Sequence, residues 1–119
     1  MKLLVFEQHD GWGDEGYPTF QKGTPVSELK AGTDDEMPHW FPCIIDRYDT
    51  FIPETFVNDG VLNRDYNPTE LVAKTGQMLT LLELVFEWVY VKDESGKEGW
   101  LPASKVVSVS RSGWPNRDH

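Results

Sequence analysis

Residues Glu87–Val109 read EWVYVKDESGKEGWLPASKVVSV, and the pattern of this stretch decides the fold class. Trp88-Val-Tyr-Val is β-branched and aromatic, as a strand is. Glu94-Ser-Gly-Lys supplies a hairpin turn, with Gly96 at a position that tolerates positive φ. Gly99-Trp-Leu-Pro-Ala-Ser-Lys-Val-Val then predicts a second strand, a one-turn helix opened by Pro102 and a short closing strand. About fifty residues earlier, His39–Val57 (HWFPCIIDRYDTFIPETFV) repeats the order in weaker form.

Spacing supports an internal repeat. Gly23 matches Gly76, Trp40 matches Trp88, Pro53 matches Pro102 and Val57 matches Val106, at offsets of 53, 48, 49 and 49. Length changes that fall in loops are what a true repeat shows. The chain therefore reads as all-β, two small β-barrels in tandem with short 3-10 turns. Barrel 1 takes residues 1–58, barrel 2 residues 59–110, and residues 111–119 form a polar tail. Asn58-Asp-Gly60 is the one candidate boundary, and no Ser/Gly-rich or Pro-rich linker separates the halves.

Taken in order, Lys2–Phe6 is a first strand, His9–Tyr17 a long Gly-rich loop, and Phe20–Thr24 a turn that uses Gly23. Val26–Leu29 and Trp40–Asp46 are strands, with Pro42 marking an unpaired edge. Arg47–Thr50 turns the chain. In the second half, Asn63–Glu70 is the long loop and Lys74–Gly76 the turn. Met78–Phe86 (MLTLLELVF) suits a helix by propensity, but the repeat decides for a strand buried on both faces.

Composition narrows the function. The 119 residues carry 20 Asp and Glu against 11 Lys and Arg, a net charge of −9. That surface repels phosphate backbones and argues against nucleic acid. The acidity is concentrated at net −7 in residues 1–58, against −2 in residues 59–119. Five Trp, six Phe and four Tyr supply the bulk that small barrels need. One cysteine, Cys43, excludes an internal disulfide and reads as a buried, inert thiol. The apolar run at the N-terminus is too short for a secretory signal or a membrane span, which points to a cytoplasmic protein.

With these residues in view, a family becomes visible. Val61–Val109 resembles a Src-homology-3 (SH3) domain. Glu70-Leu-Val-Ala-Lys-Thr-Gly is similar to the segment leading into that family's diverging turn. Trp88 stands where its groove Trp stands, and Gly99-Trp-Leu-Pro-Ala-Ser-Lys-Val is similar to its closing motif. Residues 4–57 show the same order more loosely. The resemblance implies a groove for extended, Pro-rich peptide, whose stiffness limits the entropy lost on docking, and the look of the divergent repeats points to a bacterial source. Carried over, Trp40, Pro53 and Phe56 form the groove of barrel 1. Trp12, Asp14, Glu15 and Tyr17 are its loop aromatics and acids, placed to meet a basic anchor. In barrel 2 the matching residues are Tyr66, Trp88 and Pro102, but Lys105 replaces the groove Tyr.

The expectation is thus a non-enzymatic, peptide- or protein-binding module acting through barrel 1. No phosphate loop, nucleophile elbow or paired-Cys motif occurs, and no cofactor is implied. His9, Asp10 and His39 are too scattered for a metal motif. The partner expected is a protein or peptide, basic or Pro-rich, with neither nucleic acid nor membrane, and the chain a monomer or weak homodimer. The alternatives are an acidic module that covers a basic protein, and a bacterial cell-wall-binding protein.

Overall fold

A computed structural model describes residues 1–10, 16–30 and 39–109. In chain order its strands are β1 (Lys2–Val5), β2 (Val26–Ser27), β3 (Trp40–Ile45), β4 (Tyr48–Pro53), β5 (Val57–Asn58), β6 (Val61–Leu62), β7 (Met78–Val85), β8 (Trp88–Lys92), β9 (Glu98–Pro102) and β10 (Val106–Val109). Single 3-10 turns, Glu54–Phe56 and Ala103–Lys105, follow β4 and β9, each opened by a proline at φ near −64°. The all-β expectation holds, with no α-helix among the described residues.

The chain divides into two compact units, and neither is one half of the sequence. The first joins the described residues of Met1–Gly16 to those of Thr69–His119; the second is drawn from Tyr17–Pro68. The expected boundary at Asn58-Asp-Gly60 falls inside the second unit, where it is a hairpin. β5 pairs with β6 (Val57 opposite Leu62, Asn58 opposite Val61), and Asp59 and Gly60 turn at φ 53° and 80°. Two consecutive residues at positive φ match the right-handed twist of paired strands.

In the first unit the sheet order is β10-β1-β7-β8-β9, antiparallel throughout. β1 thus runs inside the sheet, between the last strand and β7, and buries Leu3 and Val5. These pack with Leu79, Val89, Val91 and Leu101. No strand pairing joins β9 to β10 among the described residues, so the expected barrel is not seen as a closed one. The second unit pairs β2-β3-β4 in one sheet and β5-β6 in another, with a single bridge from Pro25 to Val61. Pro42 lies beyond the two β3 residues that β2 pairs with, and its carbonyl accepts from the Lys30 N–H.

Matching hydrogen bonds show that the units share one plan. The Gly76 N–H reaches the Val5 carbonyl at 2.7 Å, and the Gly23 N–H reaches the Leu62 carbonyl at 2.8 Å. His9 and Ala73 exchange both backbone bonds, as do Tyr66 and Phe20. The Ala103 N–H binds the Glu87 carbonyl, and the Glu54 N–H binds the His39 carbonyl. Each unit therefore takes its first strand and loop arm from one half of the sequence and its hairpin and 3-10 turn from the other.

Two local expectations are corrected. The turn after β3 is Asp46-Arg47, both at positive φ, and Tyr48–Thr50 already belong to β4. β7 is not buried on both faces: Leu79, Leu81, Glu83 and Val85 keep the more buried side along its length, and its register with β8 shifts between Leu81 and Glu83. Leu82 and Leu84 are left 45% and 62% exposed.

Candidate functional site

The shared plan identifies one position in each unit where a loop arm, the start of a hairpin and the 3-10 turn converge. In the first unit this position holds His9, Glu70, Trp88, Pro102 and Lys105. In the second it holds Tyr66, Trp40, Pro53 and Phe56. Trp88 stands opposite Pro102, and Trp40 opposite Pro53, in the strand pairings.

The second-unit set unites most of the expected groove, including Tyr66, which the sequence places with the other half. Phe56 and Tyr66 meet edge to face at 5.4 Å, and the Tyr66 hydroxyl donates to the Phe51 carbonyl at 2.7 Å. Tyr17 is not brought to this set: it donates to the Asp49 carbonyl and packs edge-on to Tyr48, at the turn end of the β3–β4 hairpin, whereas Trp40 and Pro53 pair at the other end. The Arg64 guanidinium lies 4.1 Å from the Phe56 ring centre. The groove role expected of these residues meets a physical obstacle. Trp40, Phe56 and Tyr66 are only 3–4% exposed and Pro53 is fully buried, so they offer a ligand almost no surface. Trp12, Asp14 and Glu15 lie outside the described residues.

The first-unit set is different chemistry on the same frame. Trp88 and Pro102 are half-buried, and Trp88 meets the His9 ring edge to face at 5.9 Å. His9 is 8% exposed, with both ring nitrogens engaged. Its Nε2 lies 2.8 Å from Glu70 Oε1, and its Nδ1 lies 3.1 Å from Lys105 Nζ. An ammonium group can only donate, so Nδ1 accepts and the Nε2–H donates to the carboxylate. Lys105 Nζ also donates to the Gln8 carbonyl at 3.2 Å. Lysine in the wall does not leave an orphaned charge; it joins a satisfied Glu–His–Lys chain.

Sequence reasoning missed His9 and Glu70 as members of this position, and treated Lys105 only as a defect. The repeat did not place His9: offsets of 48 to 53 carry Tyr66 back to residues 13–18, whereas the backbone hydrogen bonds match Tyr66 to His9, 57 residues earlier.

Two further groups are shifted by their surroundings. Burial pushes the Cys43 thiol up to about 12, so it carries no thiolate at neutral pH. Burial, then the charge and hydrogen bond of Glu98, with a smaller effect of Glu83, push Tyr90 up to about 12. No group of three or more metal-binding side chains occurs among the described residues, and no helix there is long and apolar enough to cross a membrane. No family model, curated protein or solved structure gives a significant match to the chain.

Proposed function

We propose that the chain is a non-enzymatic binding module made of two SH3-like units that exchange their first strands. Its contact with an extended peptide is centred on Trp88 and Pro102 of the first unit. The observation that carries this reading is the half-buried Trp88–Pro102 pair, held beside the Glu70–His9–Lys105 chain. A flat indole with a proline across the strand gives a stiff apolar platform, and stiff peptides lose least entropy on such a surface. Glu70 is engaged by His9 through Oε1 and its side chain retains 20% exposure, enough to attract a basic residue of the ligand. This reading moves the expected contact from Trp40, Pro53 and Phe56 to the equivalent positions of the other unit.

Titration of the labelled protein with Pro-rich peptides containing Arg or Lys tests the proposal. Shifts centred on Trp88, Pro102 and Glu70, weakened at least tenfold by Trp88→Ala, are expected. Shifts confined to the second unit would overturn the assignment. The net charge of −9 favours one rival, an acidic module that covers a basic protein. Binding of that kind falls steeply with added salt, whereas contact on the apolar platform changes little.

A further inference from the structure

The first-unit position contains a feature that peptide binding does not require. His9 lies between a cation and an anion, with one ring nitrogen committed to each. We propose that His9 is a proton-operated latch: taking a proton at Nδ1, it releases Lys105 and resets the environment of Trp88.

The argument is one of donors and acceptors. Neutral His9 accepts at Nδ1 from the Lys105 ammonium and donates at Nε2 to Glu70. A proton from solvent at Nδ1 makes that nitrogen a donor. It then faces the three donors of Lys105 at 3.1 Å, with like charge and no lone pair between them. The Glu70 bond is strengthened by the same event, because its donor becomes charged. The ring is held further by its backbone, which exchanges both hydrogen bonds with Ala73.

Lys105 is the partner able to move. It sits on a single 3-10 turn at the end of a flexible stem, and its remaining bond is to the Gln8 carbonyl at 3.2 Å. Trp88 senses the change because its ring meets the imidazole at 5.9 Å. Glu70 and Lys105 are the charged groups bonded to the ring among the described residues. Glu7 and Asp10 on its own segment, Lys74 beyond Ala73 and Glu87 before Trp88 are exposed, and none of them is bonded to the ring. Histidine is the side chain suited to such a role at ordinary pH.

NMR titration of the full chain, without ligand, from about pH 8 to about pH 5 tests the latch. The expected result is that the Lys105 Cε and Trp88 indole signals move with the same midpoint as the His9 ring. In His9→Gln, which carries no titrating ring, both movements are lost. Lys105 and Trp88 signals that stay fixed while the His9 ring titrates overturn the proposal. The wild-type titration decides this alone if the variant fails to fold. With no peptide present, a failed latch is distinct from failed peptide binding.

Discussion

At the scale of single residues, the hairpin between β8 and β9 shows how much one carboxylate organises. Asp93 Oδ1 accepts from the Ser95 N–H, the Ser95 hydroxyl and the Lys97 N–H at 2.9, 2.6 and 2.9 Å. Slight burial works to raise this carboxyl. The hydrogen bonds from Ser95 and Lys97, with the Lys97 charge, outweigh it and hold the group below the ordinary carboxylate range. A carboxyl depressed in the folded state contributes stability above its unfolded value, lost as pH falls through the folded one. Asp93→Asn is therefore expected to lower Tm near neutral pH, with the gap to wild type closing as pH falls below about 4. Thermal melts across that range check this. A gap independent of pH would show that charge is not its source. The turn itself was legible in Glu94-Ser-Gly-Lys, because Gly96 was read as a residue at positive φ and has φ 94°. The triple acceptor role of Asp93 was not legible, because it depends on where the backbone N–H groups point.

At the scale of elements, the Gly-Trp-Leu-Pro step after the hairpin has its own constraint. Trp100 bridges to Glu70 in parallel, the Leu71 N–H binds the Trp100 carbonyl, and the Trp100 N–H binds the Thr69 carbonyl. This brings the 69–71 segment directly over Gly99. A Cβ there would lie 2.7 Å from Leu71 N and 2.9 Å from Leu71 Cβ, with backbone that cannot yield cheaply. Gly99→Ala is expected to cost about 1–3 kcal/mol through overpacking. Urea denaturation measures it, and a change under about 0.5 kcal/mol, the usual range for an unconstrained surface site, would contradict the close approach. The strands around it were readable from alternation and from Pro102. The register shift along β7 was not, since MLTLLELVF carries no Gly or Pro to announce a bulge at Leu82. The candidate site was half legible for a similar reason. Trp88 and Pro102 stand in one hairpin, whereas His9 and Glu70 are 61 residues apart and meet only through the β1 arm.

At the scale of the whole molecule, the exchange of strands governs what can fold alone. Residues 59–110 read as a complete barrel by sequence, yet without Lys2–Val5 their sheet lacks the strand that joins β10 to β7. In register, Val5 of the first unit matches Leu62 of the second, so β6 taking the place of β1 would set Gly60 where Leu3 stands. Leu3 is 5% exposed, and an empty core position of that size costs about 2–5 kcal/mol. That loss is large against the marginal stability of a unit this small. The isolated fragment 60–119 is therefore expected to give a poorly dispersed amide spectrum, and mixing with fragment 1–59 to restore the native one. A dispersed, monomeric 60–119 would show that exchange is dispensable.

The sequence by itself determined the all-β class, the repeat, the 3-10 turns after Pro53 and Pro102 and most of the strands, because these rest on local alternation and turn chemistry. It also contained the hairpin signal Asp59-Gly60, whose tight turn folds β5 back on β6. Only the tertiary structure decided the consequence: with β6 used there, β1 fills the equivalent place between β7 and β10. Strand pairing between distant segments depends on which partner is already taken, and no local pattern records that. The same choice put His9 beside Trp88 and Lys105, and so set the chemistry of the candidate site.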